Sequence, residues 1–267
     1  MRKHAILAVY TYFLSEMTRF NGVLGLGLSG GITGVTLKIA FDSSKQAGST
    51  TAYGGVADAS AEKSERFTSP ESLDMVHRLR RVSDCVLVGR GTVDFDDCTL
   101  TVRRVPCDTQ PTRVVFDPSL SLLKKKDDYK MLNDGHDVII YHCCDTTPGF
   151  LLPAITLVDA RSAECNTKIS PTFVVNDLQS RGIHHVMVEG GPLTALSFLK
   201  ERLVDRAIIV QSPVIFKEPI PSHFDAAILI EAGLEKLGSF DCGGDLIECW
   251  SLTDVEWPSG DDLSSWP

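Results

Sequence analysis

The stretch VMVEGGPLTALSFL, Val186 to Leu199, constrains the fold more than any other part of the chain, because the backbone period changes within it. Val186, Met187 and Val188 are consecutive strand formers, whereas Leu193, Leu196 and Leu199 recur at the spacing that puts them on one face of a helix. Pro192 suits a first helical position, and Gly190 and Gly191 remove side chains where strand hands over to helix. Such a joint serves either as an anion site, with backbone amides aimed at a phosphate, or as an ordinary tight strand-to-helix connection. Taken alone, these residues leave both readings open.

The pattern recurs. SDCVLVGRGTV (83–93) runs an apolar strand into a glycine turn, Gly89-Arg90-Gly91-Thr92. Further strands read at VTLKIAF (35–41), TRVVFD (112–117), DVIIYH (137–142) and ITLVDA (155–160), and within RAIIVQSPVIF and LIECWSL. The polar DSSKQAGSTTAYGGVADASAEKSE reads as a long loop, and a helix is expected around Thr172 to Arg181. TSPESLDMVHRLRR (68–81) predicts a helix capped by Ser69, with Pro70 in its first turn and Glu71 complementing its dipole. On a helical wheel Leu73, Val76 and Leu79 share a face, Arg80 lies at its edge and Arg78 opposite. An inward-leaning Arg80 needs an anion, either a protein carboxylate or a ligand phosphate. Strands alternating with helices predict an α/β domain on a largely parallel sheet, with ligands at the carboxyl ends of the strands, after Val88, Phe116 and Val188.

Composition narrows the function. Of 267 residues 43% are hydrophobic and 23% charged, the balance of a packed globular chain. A net charge of −9 argues against nucleic acid as the main partner. The scattered cysteines form no CxxC pair, so reduced thiols are expected, with neither a disulfide framework nor a metal site. GxxxxGK[ST] is missing from the sequence, and its GxGxxG, Gly25 to Gly30, falls in the glycine-rich stretch ahead of the first regular strand, so neither a P-loop nor a dinucleotide fingerprint placed after a strand supports nucleotide binding. Residues 1–34 read as a leader or loose extension whose apolar run near the start is too short to span a bilayer, 35–257 as the functional domain and 258–267 as a polar tail. No membrane association is expected, and cytoplasm and plastid both stay open as compartments.

Taken together and in order, LKIAF, TSPE…HRLR, VLVGRGTV, DDCTLTVR, QPTRVVFD and VEGGPLTALSFL resemble the reductase domain of bacterial and plant riboflavin-biosynthesis deaminase-reductases. The resemblance implies a dihydrofolate reductase-like fold, a mixed, mostly parallel sheet flanked by helices. It also implies a homodimer that uses NADPH to reduce the ribosyl group of 5-amino-6-(5-phosphoribosylamino)uracil. PCDT (106–109) has only the first cysteine of the family deaminase signature and no HxE occurs, so a reductase without that domain is expected, with a separate deaminase as a partner.

Carried over by position, the resemblance makes Ala40, Thr92, Asp96, Gly190, Gly191, Pro192, Leu193, Thr194 and Ala195 cofactor contacts. It makes Ser64, Arg80, Leu100, Arg103 and Glu189 substrate contacts, with Asp96 and Glu189 the polar groups nearest the chemistry. Arg104 is expected to face solvent. Two arginines suit a phosphate monoester, whose oxygens they can pair bidentately. The chain departs from the family pattern at Asp42-Ser43-Ser44-Lys45, where a Ser-x-Asp-Gly turn is usual, at Cys98, and at VIFKE. Reduction of the 2,5-diamino-pyrimidinone before deamination, and a catalytically silent NADPH-binding scaffold, are the alternatives.

Overall fold

The computed structural model describes residues 34–44, 52–61, 66–145, 153–161 and 167–253. Ser64, the expected leader apart from Gly34, and the expected polar tail lie outside them. In chain order the elements are β1 (Gly34–Phe41), β2 (Gly55–Asp58), α1 (Pro70–Arg81), β3 (Cys85–Gly89), α2 (Arg90–Asp96), β4 (Thr112–Phe116), β5 (Val138–His142) and β6 (Ile155–Asp159). There follow α3 (Pro171–Ser180), β7 (His185–Val188), α4 (Pro192–Lys200), β8 (Arg206–Gln211), β9 (Pro219–Pro221), α5 (Ala226–Glu231), β10 (Glu235–Cys242) and β11 (Asp245–Ser251).

Nine strands form one sheet in the order β10-β11-β8-β1-β7-β3-β4-β5-β6. Every pairing from β8 to β6 is parallel, and β11 and β10 close the other edge antiparallel. This is the mixed, mostly parallel sheet flanked by helices that the resemblance implies. Alternate side chains feed two cores. Leu37 and Ile39 of β1 pack in one with Val174 of α3 and Phe198 of α4, while Met75, Val76 and Leu79 of α1 fill the other. Burying a side chain such as Phe198 or Leu79, each 0% exposed, contributes roughly 2 kcal/mol. No helix among the described residues is long and apolar enough to cross a membrane.

Several expectations need correction. α1 starts at Pro70 with Ser69 accepting from the Ser72 amide, as expected, but its inner face is Ser72, Met75, Val76 and Leu79, with Leu73 only half-buried. The face is rotated because His77 and Arg80 also turn inward, each toward a polar partner. On α4 the buried face is Ala195, Phe198 and Leu199, while Leu193 in the first turn is 85% exposed. The expected turn at Gly89-Arg90-Gly91-Thr92 is instead the start of α2: Gly89 is its N-cap, and Asp97 ends it in the left-handed region at φ 42°. The expected long loop contains β2, which pairs with β9. That ribbon gives little sequence signal because Gly55 supplies no side chain and β9 is Pro-Ile-Pro; a Cβ on Gly55 would come within 2.7 Å of Pro219 Cβ.

Candidate active site

Glu189 directly follows β7, and α1 crosses the same face of the sheet with Arg80 in its last turn. Arg80 Nε donates to Glu189 Oε1 at 2.6 Å and Nη2 to Oε2 at 2.8 Å, while Nη1 reaches the Thr101 carbonyl at 3.2 Å. Both side chains are 10% exposed, so a two-point pair stands where an unpaired charge would be costly. Burial pushes the Glu189 carboxyl up, but the Arg80 guanidinium, with Lys38 behind it, outweighs burial and holds it below the usual carboxylate range. Burial likewise works against the Arg80 cation, and Glu189 reverses the effect and raises it.

Lys38 stands in the middle of β1, two residues before Ala40 and on the same face of the strand. Burial lowers its pKa, opposed by Glu189 and assisted by Arg80, with Asp245 and Asp96 as weaker counter-charges. One electrostatic cluster therefore joins Lys38, Arg80, Glu189 and Asp96. The neighbouring Asp97 does other work, accepting from the Lys130 amide at 2.9 Å.

The segment after α2 carries the second arginine. Arg103 is exposed, and its Nη1 donates to Thr99 Oγ1 at 2.7 Å. Its pKa is lowered by partial burial and by Arg80, Arg66 and Arg104, which marks a patch of concentrated positive charge. Arg104 lies on the surface, as expected, paired with Asp74. His77 of α1 accepts from the Arg103 amide through Nδ1 at 3.1 Å, and burial with the Arg80 and Arg103 cations pushes it down to about 4. Leu100 is a core residue, 3% exposed with φ 55°, so any ligand contact it makes is through its backbone.

On the other flank, the β3–α2 and β7–α4 connections meet. A Cβ on Gly89 would come within 2.6 Å of Thr194 Oγ1, and one on Gly190 within 2.6 Å of Thr194 Cβ. These glycines therefore admit Thr194 between the two connections. Gly191 caps α4 without a side-chain hydrogen bond, and its amide donates to Thr92 Oγ1 at 3.3 Å. Pro192 opens the helix, and Ala195 is fully buried beneath it. A helix start with no side-chain cap, beside an exposed Leu193 and the Thr92 hydroxyl, fits the pyrophosphate and apolar ring of a nicotinamide dinucleotide.

The structure thus sets Ala40 on the Lys38 face of β1, brings Arg80, Glu189 and, more weakly, Asp96 within electrostatic reach of Lys38, sets Thr92 against the start of α4, and puts Arg103 within the field of Arg80. Lys38, His77 and Arg66, which interact with these residues, were not singled out from the sequence, and Cys98 was read only as a departure from the family pattern. A lysine inside the apolar run VTLKIAF is a readable signal, since a central parallel strand rarely buries a charge without use for it. His77 has a weaker one, being three residues before Arg80 and so on its side of the helix. Cys98 carries a thiol that burial, with Asp96, pushes up to about 12.

Residues 49–243 match the family model of the RibD C-terminal domain. The chain is 36% identical over 165 residues to the riboflavin biosynthesis protein RibD of Aquifex aeolicus, spanning 58% of this chain and 42% of that protein. It is 31% identical over 160 residues to the 2,5-diamino-6-ribosylamino-4(3H)-pyrimidinone 5′-phosphate reductase of Methanothermobacter thermautotrophicus, spanning 59% and 72%. In structure it is similar to the deaminase/5-amino-6-(5-phosphoribosylamino)uracil reductase of Thermotoga maritima, with a TM-score of 0.65 at 22% identity over 83% of this chain and 57% of that one. The match thus spans about half the length of the two-function relatives. Through the extent of the family match, the chain belongs to the RibD C-terminal domain family.

Proposed function

We propose that this chain is the NADPH-dependent reductase that converts the ribosyl group of 5-amino-6-(5-phosphoribosylamino)uracil, or of its 2,5-diamino-pyrimidinone counterpart, to the ribityl group. The observation that carries the reading is the buried Arg80–Glu189 pair with Lys38 beside it and Arg103 and Arg66 beyond. The names of the Methanothermobacter reductase and the Thermotoga deaminase/reductase support the same reaction class.

Ring opening of the ribosylamine leaves a C1′=N imine; a hydride adds at C1′ and a proton at nitrogen. Thr92 and the Gly190–Gly191 backbone at the start of α4 would hold the nicotinamide dinucleotide, which would supply the hydride when bound. Arg103 and Arg66 attract the 5′-phosphate, and Arg80 completes their field. Glu189, kept ionised, accepts from substrate hydroxyls and holds Arg80 in place. Lys38, whose burial makes it a readier acid than a surface lysine, delivers the proton, and Asp96 faces the reacting end from α2. Most of the acceleration comes from holding two ligands in contact geometry.

The altered turn after Phe41 supports a working site: Asp42 is buried and accepts from the Gly55 amide and Ser44 hydroxyl at 2.6 Å each and from the Phe216 amide at 2.8 Å, tying β1, β2 and the 214–216 segment together. A homodimer and a separate deaminase supplying substrate belong to the same family-based reading. The test is loss of nicotinamide absorbance on adding either pyrimidine to the protein and NADPH. Oxidation with one of them supports the reading, and the ratio of the two rates names the preferred substrate; silence with both removes it.

A further inference from the structure

The QPTR motif is used by none of the steps above, yet two of its side chains hold the segment that presents Arg103. Gln110 Oε1 accepts from the Val102 amide at 2.7 Å, and its Nε2 donates to the Val102 carbonyl at 3.0 Å. Val102 offers one donor and one acceptor, so the orientation of the carboxamide follows from the partners. Pro111 restricts Gln110 to extended backbone, which presents its side chain along the neighbouring segment as a strand would. Arg113, 0% exposed, pairs with both Asp134 oxygens at 2.7 and 2.8 Å and sends Nη1 to the Thr99 carbonyl at 3.2 Å.

The clamped segment is a strained one. Asp97 and Leu100 take φ of 42° and 55°, a left-handed region that is unfavourable for non-glycine residues and persists only where the surroundings over-determine it. The attachments act next to Arg103: Gln110 on residue 102, His77 on the amide of 103, and Thr99 on its guanidinium. Of these, Gln110 alone satisfies both backbone groups of a single residue.

We propose that Gln110 is the positioning residue of the phosphate subsite, its carboxamide locking Val102 so that the Arg103 guanidinium is presented preformed to a phosphate monoester. The assignment rests on the substrate reading under Proposed function. It concerns affinity for the phosphate end and leaves hydride transfer untouched.

The test is Gln110→Met, similar in length but without the polar pair, assayed on the phosphorylated substrate, on its dephosphorylated form, and by calorimetric binding of ribose 5-phosphate. Gln110→Glu, which keeps the acceptor and forfeits the donor, is the milder second variant should the first not fold. The expected result is a KM for the phosphorylated substrate, and a Kd for ribose 5-phosphate, raised about tenfold, as for loss of one to two net hydrogen bonds, with kcat within about twofold and the dephosphorylated KM unmoved. Equal rises on both substrates, a fall in kcat alone, or no change overturn it. If the wild type turns over neither substrate but binds ribose 5-phosphate more tightly than the variant, the reductase reading fails and the positioning role stands. If the wild type binds no phosphate in any form, both fall.

Discussion

Arg80 and Glu189 lie 109 positions apart in sequence and meet through two parallel hydrogen bonds of 2.6 and 2.8 Å, joining the last turn of α1 to the end of β7. The pair fixes a helix over the carboxyl edge of the sheet. It also leaves a buried carboxylate beside Lys38.

Removing one partner strands the other. Arg80→Met is expected to cost about 3 kcal/mol in denaturant unfolding and at least a hundredfold in kcat/KM, since an uncompensated carboxylate remains in a nearly closed site. The double variant Arg80→Met/Glu189→Leu should recover most of the stability and none of the activity. Recovery of activity would show that the pair only supports the fold.

Lys38→Met separates function from stability in the opposite sense. Because burial disfavours the Lys38 cation, the folded protein holds that proton less tightly than the unfolded chain, and the group costs stability at neutral pH. The variant is expected to melt at the same temperature or higher at pH 7 while losing turnover by two or more orders of magnitude. A sharply lower Tm with activity retained would contradict the role.

His77 gives the fold an acid limit. Its folded pKa is pushed down to about 4 from 6.5, so between those values the unfolded chain binds more protons and stability falls as pH falls. The stabilisation is complete above about pH 6.5, and its loss by pH 4 is at most about 3 kcal/mol, less where water screens the ring. His77→Gln should flatten this part of the stability–pH profile; an unchanged slope would assign the acid sensitivity to other groups.

The glycines at the cofactor flank should respond unequally. Gly190→Ala meets Thr194 Cβ at 2.6 Å and is expected to cost about 2 kcal/mol, because Cβ is fixed to the helix backbone. Gly89→Ala meets only Thr194 Oγ1, which can rotate away, so it should cost less than about 1 kcal/mol. Gly91→Ala meets nothing within 4 Å inside α2 and should raise stability by about 0.5 kcal/mol. Thermal unfolding of the three variants checks the order.

Much of this was legible in the sequence. The parallel strands were readable because central strands of such a sheet are apolar on both faces, and α1 because Ser69 and Pro70 mark its start. The inward lean of Arg80 followed from the 3.6-residue period. What stayed hidden depended on partners remote in sequence: β2 and β9 exist through mutual contact between glycine and prolines, and Leu193 loses its place on the buried face where Thr194 fills the space beside Gly89 and Gly190. Lys38 was visible in VTLKIAF but went unread, because the pattern of an apolar strand absorbed it. Gln110 stands in the quoted QPTRVVFD motif, but nothing in the motif shows its role, which lies in the two backbone groups of Val102.

The most direct measurement follows the transferred hydrogen. Incubation of the protein with the ribosylamino pyrimidine phosphate and NADPH deuterated at the transferring position should give a ribityl product carrying one deuterium at C1′, seen by mass spectrometry and located by NMR. A product without deuterium, or no product although NADPH binds, would contradict hydride delivery to a substrate held between Arg103 and Glu189.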